Sequence, residues 1–293
     1  MIGSPACSRT PQRGAELHGR EARDDLGMKS RTLGAMERCL QQPAGARLSV
    51  CHPGPPPEHA ASRLEQMAAD AALVSGPRLA LLGLLLDATL PAASFGCAAL
   101  RPLWANEAMQ RAQNMIRLVV ALDRREPAIH AEPARLQMEC RIAAELAAAY
   151  RQLDLAEETG VLPCSPVLRT AVRDLVDLFG SSDGQARPRT SIERLALPSY
   201  KCRALVLAAC ALVIDVLGRI STGHMRGCVA VSLRQIGPAQ ARLSVVDDGW
   251  NLLQANREPP DEVLSDLAAL LECDPAYRVL DSGGFVAELT FPI

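Results

Sequence analysis

The sequence predicts an α+β chain. A two-helix hairpin, pairing with a second copy into a dimeric four-helix bundle, precedes a sandwich of helices on a mixed, mainly antiparallel sheet. Three observations carry this expectation. Two apolar seams at heptad-like spacing follow one another in mid-chain, Trp104-Ala108-Ala112-Met115-Val119-Leu122 and Leu136-Cys140-Ala143-Ala147-Tyr150. A helix that is apolar nearly all round comes next, over residues 202–220, and such a helix is buried. Short alternating strands joined by Gly-containing turns then close the chain.

Composition supports a packed core. Of 293 residues, 48% are hydrophobic and only 3% aromatic, so the core is aliphatic and helix-favouring. The net charge of -2 gives no electrostatic case for nucleic acid. Lys29 and Lys201 are the only lysines, so the cationic residues are nearly all Arg. The 10 cysteines are scattered with no C-x-x-C pair and His is scarce, which argues against zinc and for a reducing, cytoplasmic setting. The N-terminus lacks the apolar stretch of a secretory signal. Residues 79–100 include Asp87 and Pro91, and their unbroken apolar part falls far short of the ~20 residues a bilayer needs.

In chain order, residues 1–60 are rich in Arg, Gly and Pro and keep no period, which predicts disorder. Residues 61–98 form a helical lead-in, broken at Gly76-Pro77. Residues 99–160 hold the two seams, with Glu126-Pro127-Ala128 between them and Pro133 in the first turn of the second helix. A hairpin of two helices cannot bury its seam alone, and a second copy supplies the missing half. In residues 161–293 a helix is predicted over 166–179, a loop over 180–188 and a strand over 192–197. After the buried helix come strands over 229–233 and 241–246 around Gly237-Pro238, a helix over 261–271, and strands over 276–280 and 285–291 around Ser282-Gly283-Gly284.

One turn holds the most informative residues. Asp247-Asp248-Gly249-Trp250-Asn251 follows the apolar strand Leu243-Ser244-Val245-Val246, and a long buried helix precedes that strand. This order resembles the GHKL ATPases, which include histidine kinases, and so implies a Bergerat-type α/β sandwich. By the resemblance, Asp247 stands where the family binds the adenine amino group and Gly249 is the first motif glycine, but Asn251 replaces the second. The helix containing Ala211, Leu212, Asp215 and Arg219 resembles the N-box helix, with Ala211 at the Glu position, Asp215 at the Asn position and Arg219 at the His position. The ending Gly284-Phe285 to Phe291-Pro292 resembles the family's last strand. Upstream, Glu107-Ala108-Met109-Gln110-Arg111-Ala112-Gln113-Asn114 resembles a phosphoacceptor box of sensor histidine kinases, with Gln110 in place of the acceptor His.

The departures have chemical meaning. Gln110 offers an amide whose lone pair is delocalised, where an imidazole nitrogen would be nucleophilic. Ala211 cannot serve as a general base. Asp215 keeps a carboxylate suited to magnesium. Residues 252–261, at the nucleotide lid of the family, contain no glycine and end in Pro259-Pro260, which removes backbone donors for phosphate. Asp261 and Glu262 would repel a triphosphate. His130 and His224 read as solvated loop residues, and Trp250 as a cover over apolar surface or an interface anchor.

The resemblance therefore implies a histidine-kinase-like two-component signalling protein that is catalytically degenerate. It would be a homodimer through the hairpin and would bind a response-regulator receiver domain, or another kinase, around Gln110, Arg111 and Asn114. No cofactor is expected. A working kinase or ATPase with atypical boxes is the alternative, with Asp247, Gly249, Asn251 and Asp215 holding ATP and magnesium. A histidine phosphotransfer protein is a third reading, opposed by the missing His at Gln110.

Overall fold

Of the second seam, Ala143, Ala147 and Tyr150 are buried, whereas Leu136 and Cys140 are half-buried; every residue of the first seam is buried. The computed structural model describes residues 57–74, 76–89, 100–127, 130–154, 160–180, 186–223, 227–247, 262–280 and 284–293. The predicted disordered segment lies outside them up to residue 56, and helix α1 begins at Pro57. The helices are α1 (Pro57–Ala71), α2 (Gly76–Thr89), α3 (Arg101–Arg125), α4 (Pro133–Asp154), α5 (Cys164–Phe179), α6 (Ser199–Gly223) and α7 (Glu262–Leu270). Gly76-Pro77 opens α2, where the sequence suggested a break; proline suits a first helical turn because its missing N–H has no partner there anyway.

The seams differ from expectation in what covers them. α2 packs against both α3 and α4, so the two seam helices meet mainly through it. α6 also packs on α3 and α4. Leu79, Leu81, Leu82, Leu85 and Leu86 of α2 are all buried, as a helix apolar on several faces requires. Much of the seam surface is thus covered by the chain's own helices, while Leu136 and Cys140 stay half-buried.

One buried cation holds α2 in place. Arg78, 0% exposed, donates from Nε to Glu139 Oε2 and from Nη2 to Glu139 Oε1, both at 3.2 Å. Its Nη1 donates to the Leu122 carbonyl at 3.1 Å, to Asp123 Oδ1 at 3.3 Å and to the Glu126 carbonyl. The planar guanidinium fork satisfies a bidentate carboxylate and the C-terminal carbonyls of α3 together, which a lysine cannot do. The Leu122 carbonyl already accepts from Glu126 N at 3.0 Å, so Arg78 is a second donor to it, and a cation suits that end of the helix dipole.

The sandwich has five strands in the order β2-β4-β5-β7-β6: β2 (Ala186–Ile192), β4 (Gly227–Gly237), β5 (Gln240–Asp247), β6 (Ala276–Val279) and β7 (Phe285–Pro292). β2 runs parallel to β4 and the other pairs are antiparallel. The parallel pair needs a crossover, and α6 provides it. Val229, Val231, Leu233, Leu243 and Val245 point to the buried, helix-covered face, while Arg234 and Arg242 point away from it. The strand expected over 192–197 is two elements. β2 ends at Ile192, and β3 (Ala196–Pro198) pairs with β1 (Val161–Pro163) in a separate two-stranded sheet. Ser165 Oγ donates to the Glu193 carbonyl at 2.5 Å and accepts from Leu195 N at 3.0 Å, which ties the start of α5 to the residues between β2 and β3.

Replacing Arg78 by Met keeps bulk and removes the charge, leaving the buried Glu139 with only Arg135, partly exposed and 3.4 Å away, as a cation. The expected loss is about 3–5 kcal/mol, because one member of a buried pair is stranded. Urea unfolding reads it as a lower midpoint at unchanged slope. The double variant Arg78→Met/Glu139→Leu should lose less than the single one; a larger loss contradicts the assignment of Arg78 as the clamp.

Candidate functional site

Gln110 lies on α3, half-buried. Arg63 of α1 donates from Nη2 to Gln110 Oε1 at 3.0 Å, and Gln110 Nε2 donates to Asn114 Oδ1 at 3.4 Å. The amide at the acceptor position is therefore engaged at both ends. The partner-binding face expected over residues 105–114 is not open: each of them is buried or half-buried. Arg111 in particular turns inward, only 4% exposed, and so cannot serve as a surface contact.

Arg111 belongs to a charged cluster between α3, α4 and α6. Its Nη2 lies 3.2 Å from Glu107 Oε2, and its guanidinium sits 4.5 Å from the centroid of the Tyr150 ring. None of its nitrogens makes a well-formed hydrogen bond, so the Glu107 charge and the ring face are what offset its burial. One helical layer away, Arg203 of α6 pairs with Asp154 of α4 at 2.8 Å and stacks 4.2 Å over the Trp104 ring of α3. Burial raises the Glu107 and Asp154 carboxyls above the ordinary carboxylate range, against the pull of Arg111 and Arg203. Burial also pushes the Cys210 thiol up to about 12 and the Tyr150 hydroxyl well above its usual value. Thiol and phenol thus stay protonated at neutral pH, and neither is a nucleophile. The cluster joins three helices and has no chemistry of its own to offer. Sequence reading missed it, although Glu107 and Arg111 stand at i, i+4 on an otherwise apolar seam, and that spacing was the available signal.

The nucleotide-site candidates are only partly brought together. Asp247 ends β5 at 7% exposure, in register with Val229 of β4 and Phe285 of β7, on the sheet face that the helices cover. Ala211 and Asp215 lie one turn apart on α6, which packs on β5; Ala211 is half-buried and Asp215 exposed. Gly249, Asn251, Trp250, His224 and the whole segment 248–261 lie outside the described residues. His130 is exposed.

The described residues hold only part of the candidate nucleotide site, since residues 248–261 lie outside them. They supply two carboxylates, a methyl group where a base would act, and Glu262 in the first turn of α7, where anionic phosphates would seek backbone donors. Among the described residues no cluster of three or more His, Cys, Asp or Glu side chains is placed to hold a metal ion. No described helix is long and apolar enough to cross a membrane.

No protein-family model matches this chain, and no curated protein matches it. Solved structures similar to it are histidine kinases. The histidine kinase domain of a blue-light-activated histidine kinase from Erythrobacter litoralis is 13% identical with a TM-score of 0.48, over 72% of this chain and 94% of that one. The mycobacterial sensor histidine kinase MprB is 13% identical with a TM-score of 0.34, over 45% and 97%. The histidine kinase domain of the E. coli osmosensor EnvZ is 11% identical with a TM-score of 0.32, over 47% and 91%. At these scores the likeness is one of chain trace alone, and no residue role is carried across from it.

Proposed function

We propose that this chain is a histidine-kinase-like two-component signalling protein that has lost phosphoryl chemistry and acts by binding a partner, either a response-regulator receiver domain or another kinase. The observation that carries the reading is Gln110. It occupies the acceptor position of the box, its amide is not nucleophilic, and both of its polar ends are already bonded, to Arg63 and Asn114. Ala211 adds a second loss on α6, since a methyl group neither orients nor accepts a proton. The order of box, paired seams, buried helix and strand-end Asp247 supports the family side of the reading, as does the layout of a mixed sheet packed against α5 and α6. A homodimer through the helical hairpin remains part of the proposal, with Leu136 and Cys140 of the second seam only half-buried in the single chain.

A working kinase or ATPase is the second reading. What favours it is the pair of retained carboxylates: Asp247 at the end of β5 and Asp215, exposed on α6.

Calorimetric titration with a non-hydrolysable ATP analogue and magnesium should show no binding tighter than about 1 mM, equivalent to about -4 kcal/mol. Micromolar binding that Asp247→Asn abolishes would establish the second reading. Incubation with γ-labelled ATP, or with a phosphorylated receiver domain, should leave the chain unlabelled. Gln110→His should not restore labelling from ATP, because Ala211 is still in place; label appearing on that variant overturns the claim that the ATP side is lost as well.

A further inference from the structure

The five-stranded sheet has a second face, turned away from the helices, and strand register decides which side chains meet on it. Arg234 of β4 stands directly opposite Arg242 of β5, and Ser232 stands opposite Ser244 one step along the same face. Arg189 and Ser191 of β2 lie on this face beside Ala230 and Ser232. β7 adds Glu288 opposite Ser244 and Thr290 opposite Arg242. Ser191, Ser232, Ser244 and Glu288 thus form one row across four strands, with guanidiniums in the rows on either side.

Arg189, Arg234 and Arg242 are exposed. Arg242 Nε donates to Thr290 Oγ1 at 3.3 Å, but none of the three guanidiniums has a carboxylate partner among the described residues. The acidic side chains of this part of the sheet are engaged elsewhere. Glu288 lies 3.5 Å from Arg278, and Glu193 accepts from Gln235 N at 2.9 Å. Residues opposed on antiparallel strands hold their Cβ atoms about 5 Å apart, and like charges in that position repel. Arg234 and Arg242 are so placed, and no described carboxylate relieves them. Two opposed guanidiniums beside a floor of small hydroxyl side chains suit an anionic group that both can share.

We propose that this sheet face docks a protein segment rich in Asp and Glu, whose carboxylates bridge Arg234 and Arg242, with Arg189 at the edge. Nucleic acid fits less well. Among the described residues no aromatic ring lies on this face to stack a base, Glu288 sits within it, and the net charge of the chain is -2. A second copy presenting the same face would set arginine against arginine. Residues 1–56 carry more Arg and Lys than Asp and Glu, so they do not complement it either. The proposal does not rest on the two-component reading.

Fluorescence anisotropy on the full chain tests it, with a labelled peptide of alternating Glu and Ser at low ionic strength. The peptide should bind, and bind more weakly as salt rises, because the charges that meet it are exposed. Arg234→Gln/Arg242→Gln should weaken binding at least about tenfold. Arg117→Gln/Arg124→Gln removes the same charge from exposed positions on α3 and should change binding less than about twofold. Equal weakening by the two double variants means that net charge alone attracts the peptide, and it overturns the docking face, as does a wild-type chain that binds no peptide. An RNA oligonucleotide of equal charge that binds as tightly as the peptide, and is lost with Arg234 and Arg242, overturns the choice of a protein partner. In the chain without peptide, Arg234→Gln should raise the urea midpoint at unchanged slope, because it relieves the cross-strand repulsion. A lowered midpoint assigns Arg234 to packing and overturns the proposal.

Discussion

A buried guanidinium must be fully answered or the fold around it fails, and Arg78 is the residue on which the helical half depends. At 0% exposure it has no solvent to fall back on. Its answers come from Glu139 on α4 and from Asp123 and the last carbonyls of α3. To reach all of them, α2 must lie against both helices, which it does. The consequence is geometric: two helices whose seams look made for a partner are kept on either side of a third. Most of their apolar surface is covered inside the chain, with Leu136 and Cys140 half-buried.

The legible part of this fold is the part whose signal is local. The seams of α3 and α4 and the all-round apolar α6 announce themselves by spacing, and Asp247 follows an alternating strand. The strand β2 does not. It reads Ala-Arg-Pro-Arg-Thr-Ser-Ile, and an exposed edge strand has no apolar alternation to betray it. β1 and β3 are too short for a period to appear. The covering of the seams was within reach of physical reasoning. α2 is apolar on several faces, so it must be buried, and an arginine near the start of a buried helix demands carboxylates from elsewhere. That demand points to Glu139 and Asp123, and so to α4 and α3, more directly than any spacing rule.

The site divides in the same way. Which side chains are missing from the chemistry is a matter of residue type, and Gln110 and Ala211 state it in the sequence. Where the surviving side chains face is a matter of packing. Arg111 reads as part of an exposed box, yet it lies over Tyr150 beside Glu107, because the α3 surface that bears it is enclosed by α4 and α6. Gln110 reads as the point a partner would meet, yet Arg63 reaches it first. Exposure is a property of the neighbours, and neither neighbour is close in sequence.

The stacking of Arg203 on Trp104, with Asp154 as its counter-ion, bears on how separable the two halves are. The three residues belong to α6, α3 and α4, so this contact straddles the point between α4 and β1 where the motif order would place a module boundary. A single hydrophobic core runs through it, from Met67 to Phe291. The two parts that the order of motifs suggests therefore share buried contacts. A chimera that exchanged residues 161–293 for another sandwich would have to import a cation at the Arg203 position, or leave Asp154 with Arg111 alone and the face of Trp104 without its guanidinium. Grafting, here, is limited by one guanidinium.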